Sequence, residues 1–168
     1  HVPAPHMMLY HFNIGYPVLD DNAVLLSPSA KVTPRDEVAA QHPDDYFSFE
    51  RPSVGFAERV YLHELRADVA GNTIAALANA PLELGVYLRY NVRELPWFNQ
   101  WKNNGAGTYV LGMEPGTAGV TGRAAERAEG RLVHLDPGES RRYHIEFGVL
   151  SSRDELAAVE REIEQLSA

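Results

Sequence analysis

The chain of 168 residues contains no cysteine, which removes disulfides, thiolate nucleophiles and cysteine-ligated zinc together. A chain without cysteine suits a reducing compartment, and a cytoplasmic protein is expected. Basic residues are scarce as well. Fifteen Lys and Arg against 23 Asp and Glu leave a formal net charge of -8, and no Lys/Arg-rich run occurs. Nucleic acid and anionic bilayers both need a basic face, so neither is expected as a partner. No stretch approaches the roughly 18 consecutive apolar residues of a membrane span, and the first residues lack the basic-then-apolar order of a signal peptide.

What is present suffices for a core: 45% of residues are hydrophobic and 23% charged, which predicts one globular domain over residues 1–168. Short runs rich in Val, Leu, Tyr and Phe predict strands at 24–26, 58–62, 73–77, 82–90, 109–113, 132–135 and 142–150. Turn residues at Ala70-Gly71-Asn72 and Asp136-Pro137-Gly138-Glu139 separate some of them, as hairpin or sandwich connections of a mainly antiparallel all-β protein would. Along the last run Tyr143, Ile145, Phe147 and Val149 alternate with His144 and Glu146, which predicts a half-buried strand. Lys31 to Arg51, with two prolines and several acids, reads as a long surface loop with at most a helical turn. From Ser152 onward the chain reads as helix: Ser152 and Glu155 have capping-box spacing, and Leu156, Val159, Ile163 and Leu166 form an apolar stripe.

Several motif classes fail on inspection. His63-Glu64-Leu65-Arg66-Ala67 begins like a zinc-protease helix but has Ala67 where the second histidine must stand. Gly105-Ala106-Gly107 lacks the third glycine of a dinucleotide fingerprint and reads as a turn. Neither a Gly-x-Ser-x-Gly elbow nor a Walker loop is present. The seven histidines are scattered, so no metal is implied and no cofactor is required.

Two segments retain chemical interest. In Tyr109-Val110-Leu111-Gly112-Met113-Glu114-Pro115-Gly116 a carboxylate closes an apolar run; Glu114 is either an exposed strand end or a placed acid or base. If Leu9 to Gly15 is extended, His11 and Asn13 point the same way, pairing an ionisable group with an amide. Trp97, Trp101 and Tyr109, with Lys102 close by, would suit either a polyol-binding cleft or an ordinary aromatic core with a polar rim.

The ordered set His11-Phe12-Asn13-Ile14-Gly15-Tyr16-Pro17, Pro34-Arg35-Asp36-Glu37, Gln100-Trp101-Lys102, Gly112-Met113-Glu114-Pro115-Gly116, Gly122-Arg123 and Leu135-Asp136-Pro137-Gly138-Glu139 resembles the aldose 1-epimerase-like family of the galactose mutarotase-like superfamily. More closely, the chain resembles the C-terminal half of a branch catalogued as a domain of unknown function. The resemblance implies a β-supersandwich, here partial, that binds a hexose-like sugar and interconverts its anomers. It implies Glu114 as the base and His11 as the acid, with Asn13, Lys102, Arg123, Trp101 and His6 as substrate-binding candidates. A non-catalytic carbohydrate-binding module on the same scaffold is the alternative. A partial sandwich would expose apolar sheet edges, so self-association or pairing with the missing N-terminal half is expected.

Overall fold

The computed structural model describes residues 2–168. Eleven strands and three α-helices follow one another as β1 (Ala4–His6), β2 (Phe12–Ile14), β3 (Val24–Leu26), β4 (Ser29–Pro34), α1 (Glu37–Ala40), β5 (Arg59–Leu65), β6 (Asn72–Asn79), β7 (Leu84–Asn91), β8 (Trp97–Gly105), β9 (Thr108–Gly116), α2 (Arg123–Ala128), β10 (Val133–Leu135), β11 (Ile145–Leu150) and α3 (Arg153–Ser167). A five-stranded sheet in the order β2-β9-β8-β5-β4 faces a four-stranded sheet in the order β11-β7-β6-β3, and β1 and β10 form a separate ribbon. Every strand pair is antiparallel, as the alternating patterns predict.

The core follows from side-chain alternation. Phe98 of β8 and Leu111 and Met113 of β9 point inward, where they meet Ala75 and Leu77 of β6 and Val86, Leu88 and Tyr90 of β7. The residues between them on β6, Ile74 and Ala76, point outward and are covered by Leu156, Val159 and Ile163 of α3. The capping-box spacing holds: the Ser152 hydroxyl accepts from the Glu155 amide at 3.3 Å. Each buried aliphatic side chain contributes about 1.5 to 3 kcal/mol, so docking rather than helix propensity holds α3. Among the described residues no helix is long and apolar enough to cross a membrane.

Three expectations need correction. The apolar run at 109–113 does not stop there; β9 continues through Glu114 and Pro115 to Gly116, because β8 pairs with it along its whole length from Gly105–Thr108 to Trp97–Gly116. Part of the expected loop is strand: residues 31–34 belong to β4, with Pro34 at its last position on the sheet edge, where no ladder donor is required. The turn at Ala70-Gly71-Asn72 is the second of its two expected forms, a sandwich connection that carries the chain from one sheet to the other. Finally, β11 begins at Ile145, and its apolar face is not fully covered. Phe147 stacks on Phe12 across the sandwich at 5.4 Å, yet Phe147 remains 45% and Val149 59% exposed, because β2 and β11 both lie at sheet edges on the same side.

Candidate active site

Residues directly opposite one another in antiparallel strands share a face. On the outer face of the five-stranded sheet this places three rows. Asn13, Gly112, Trp101, Val60 and Arg35 form one, since Asn13 pairs with Gly112, Gly112 with Trp101 and Trp101 with Val60, whose carbonyl accepts from the Arg35 amide. In the next row Glu114 lies opposite Asn99, then Leu62 and Thr33; His11, one residue before the Phe12–Met113 pair, joins it on the other side. Leu9, Gly116 and Trp97 occupy the third.

The two residues at the centre are in contact. Nε2 of His11 lies 2.8 Å from Oε1 of Glu114. Glu114 is buried, 3% exposed, whereas the His11 side chain is open to solvent. Burial raises the Glu114 pKa from the usual carboxylate range to about 7, and the Arg35 guanidinium acts in the opposite direction. Apart from its contact with the imidazole, Oε1 has no hydrogen-bond donor among the described residues, and neither does the buried Oδ1 of Asn99 opposite. Buried acceptors without donors are costly, and two of them stand on this row.

Neighbouring groups fix the pair in place. The His11 ring meets Trp101 edge-on at 5.8 Å. The Trp101 indole donates to Glu58 Oε2 at 2.8 Å, and Glu58 Oε1 lies 3.5 Å from Arg35 Nη2, so one carboxylate ties the indole to the guanidinium. Asn99 is wholly buried and donates through Nδ2 to the Glu114 carbonyl at 3.2 Å and to the Ala118 carbonyl at 3.4 Å, anchoring the backbone under the acid. Gly112 leaves the space that the site occupies: a Cβ there would lie 3.1 Å from His11 Cε1 and from Trp101 Cβ, and closer still to Glu114 Oε1. The arrangement can move a proton to or from a ligand at near-neutral pH.

The family model described as "Domain of unknown function (DUF4432)" matches residues 1–149 of the chain. The chain belongs to the DUF4432 family. No curated protein matches it. A solved structure does: the crystal structure of a "putative aldose 1-epimerase" from Klebsiella pneumoniae subsp. pneumoniae superposes with a TM-score of 0.95 at 29% identity, over 99% of this chain. This DUF4432 chain spans only 44% of that protein's length. The likeness establishes the galactose mutarotase-like fold for the DUF4432 chain, with its mainly antiparallel sheets and C-terminal helix.

Of the substrate-binding candidates named from the sequence, the structure brings Trp101 against His11 and sets Asn13 on the same face. It sends the other three elsewhere. Lys102 follows Trp101 on β8 and therefore points to the opposite, inner face, where it is wholly buried. Its ammonium donates to the carbonyls of Asp45 and Ser48, each at 2.8 Å, and pairs with Glu50 at 3.2 Å. Burial lowers its pKa, and Glu50 and Asp45 oppose the shift. Lys102 thus pins the segment before β5 onto the sheet. Arg123 is exposed at the first position of α2 and makes no ion pair among the described residues. His6 stacks on Tyr143 and bonds its hydroxyl at 2.8 Å, on the separate ribbon. His63 fits the structural reading of a lone histidine: buried between Ser29 and Gln100, its pKa is lowered to about 4 by desolvation.

Lys102→Met keeps the apolar stem but leaves two carbonyls without their donor. It should lower the unfolding free energy by about 2 kcal/mol, read from urea denaturation, and leave sugar affinity unchanged. Lost affinity at unchanged stability would restore Lys102 as a ligand.

Arg35, Glu58, Asn99 and Gly112 received no role from the sequence. Arg35 lies within one of the motifs that carry the resemblance, and Asn99 shows through alternation with Trp97 and Trp101. Glu58 is joined to the site only through cross-strand register, which the sequence does not display.

Proposed function

We propose that this DUF4432 chain carries the acid–base pair of an aldose 1-epimerase-like reaction, the interconversion of sugar anomers through ring opening. The observation that carries the reading is a buried carboxylate in contact with a solvent-facing imidazole, where burial pushes the acid's pKa up to about 7. Ionised Glu114 takes the proton of the anomeric hydroxyl, the anomeric carbon becomes a carbonyl carbon, and its bond to the ring oxygen breaks. Protonated His11 delivers a proton to that ring oxygen. Rotation about the bond next to the aldehyde, then the reverse transfers, gives the other anomer and restores both groups. The two reacting oxygens are attached to one carbon, so an acid and a base in mutual contact can serve both. Positioned acid/base groups contribute about 10² to 10⁴ in rate, which is adequate for a reaction that already proceeds in water.

Trp101 supplies an aromatic face for the sugar ring, and Asn13 supplies an amide. The site lies on an open sheet face. A cavity of about 1010 Å³, lined by Arg89, Tyr143, Glu146 and Glu162 among others, lies between β7, β11 and α3 and includes neither member of the pair. The remaining pocket walls, in this reading, come from a second body that also covers Phe147 and Val149. That body is either the N-terminal half of a longer protein of which this chain is the C-terminal half, or a second copy of this chain. Its 44% coverage of the Klebsiella protein supports this arrangement.

Saturation-exchange NMR of free sugars tests the proposal. Since Glu114 must be ionised to act as the base and His11 protonated to act as the acid, the exchange rate should rise with pH through about 7 as Glu114 ionises and fall again where His11 loses its proton. Sugar binding without exchange at any pH would leave a carbohydrate-binding module, and a pH-independent rate would remove Glu114 as the base.

A further inference from the structure

We infer that a second sugar ring binds beside the first, against Trp97, so that the substrate is a reducing disaccharide or a longer saccharide. This rests on the anomer-interconverting role of Glu114 and His11. The chain has two tryptophans, and both lie on this face. Trp97, Asn99 and Trp101 alternate along β8, directly opposite Gly116, Glu114 and Gly112 of β9. Glu114 therefore lies between two indoles, each one same-face position away, or about 7 Å along the strand.

Trp101 serves the pair directly; Trp97 opens onto a separate space. After β9 the chain folds back over the outer face through α2, leaving a cavity of about 260 Å³ lined by Trp97, Thr33, Leu62, Lys31, Glu64 and Arg131 among others. Leu62 and Thr33 belong to the row that carries His11 and Glu114, so the cavity begins on that row. Its size, just below the ~300 Å³ at which drug-sized pockets begin, suits one ring.

The cavity wall is built, not incidental. Glu126 is wholly buried, and both its oxygens grip Arg131, at 3.1 Å and 3.0 Å, holding that guanidinium over the Trp97 ring at 5.3 Å. A buried carboxylate is expensive unless paired in this way. The cations of the lining are already neutralised: Lys31 by Glu64 at 3.1 Å, Arg131 by Glu126 and Glu129. A phosphate or carboxylate would find no free positive charge there. An indole capped on one face by a paired guanidinium, with the other polar groups of the lining also paired, suits an uncharged polyhydroxylated ring against its remaining surface instead.

The two indole N–H signals of the wild-type chain, assigned with Trp97→Phe, report the two positions separately. Glucose, galactose and mannose are titrated alone and as the reducing ring of a disaccharide. The monosaccharides should move the Trp101 signal only. Disaccharides should move both signals, bind about tenfold more tightly, and lose that advantage in Trp97→Ala. Thr33→Tyr, at an exposed strand position, fills the cavity without disturbing the core and should remove the same advantage while leaving monosaccharide affinity unchanged. Disaccharides that move the Trp101 signal alone, or bind no better than their reducing rings, overturn the second position. Movement of the Trp97 signal without anomer exchange upholds it and sinks the catalytic role. Silence of both signals for every sugar removes both.

Discussion

Replacing Glu114 by glutamine should abolish anomer exchange and at the same time make the fold more stable at alkaline pH. The first effect follows from chemistry: glutamine keeps the shape and a hydrogen-bond-accepting oxygen but cannot take a proton, so the rate should fall by about 10² to 10⁴ while sugar affinity changes little. The second follows from burial. An acid whose pKa rises from 4.5 in the unfolded chain to about 7 in the folded one binds a proton more tightly when folded. Between those values the folded state holds more protons, so stability falls as pH rises, and above about 7 the full cost of an ionised buried carboxylate remains. A shift of this size corresponds to on the order of 3 kcal/mol. Urea denaturation at pH 8 should therefore show Glu114→Gln more stable than the parent by about that amount, with little difference near pH 4. A strand-end residue without function would lose neither activity nor its pH-dependent penalty, so an inactive but not stabilised variant would point away from a desolvated base.

That pairing of effects also explains why the acid could be noticed in the sequence at all. A glutamate between Met113 and Pro115 in an apolar run contradicts the local pattern, and violations of pattern concentrate where function overrides stability. His11 and Trp101 were legible for a related reason, since alternation assigns faces within a strand. The same alternation, applied to Trp101 and Lys102, already separates them onto opposite faces, and the inner placement of Lys102 follows from it. The resemblance alone carried Arg123 and His6, and neither has local periodicity that could have placed it. Register was not legible. That Glu58 reaches the Trp101 indole, or that Asn99 lies opposite Glu114, depends on how β5, β8 and β9 are aligned, which short strands without a repeated pattern leave open. The exposed face of β11 was hidden for a different reason. Its alternation is sound, and what it lacks is a covering neighbour.

Gly112→Ala tests the part of the site that no sequence pattern could reveal, because its contribution is the absence of a side chain. The glycine lies between Asn13 and Trp101 in its row and next to Glu114 along β9. An added methyl would press on the Glu114 carboxylate, on His11 Cε1 and on Trp101 Cβ at once. The backbone there is an ordinary strand, without the positive φ that marks several other glycines of the chain, so alanine is conformationally acceptable and the sheet should persist. The three neighbours differ in their freedom to yield. Trp101 is held through its indole by Glu58, and the carboxylate is enclosed, whereas His11 stands open to solvent. The imidazole should therefore move outward and separate from Glu114. A displacement of about 1 Å in a catalytic group can cost on the order of 10²-fold in rate. Gly112→Ala should accordingly lose about 10² in kcat, with cooperative unfolding retained and the Trp101 indole signal shifted. Because the methyl also pushes on the acid, the pH at which activity rises should move with it. Unchanged kcat together with an unchanged pH profile would show that the pair tolerates the methyl and that its contact is not what sets the rate.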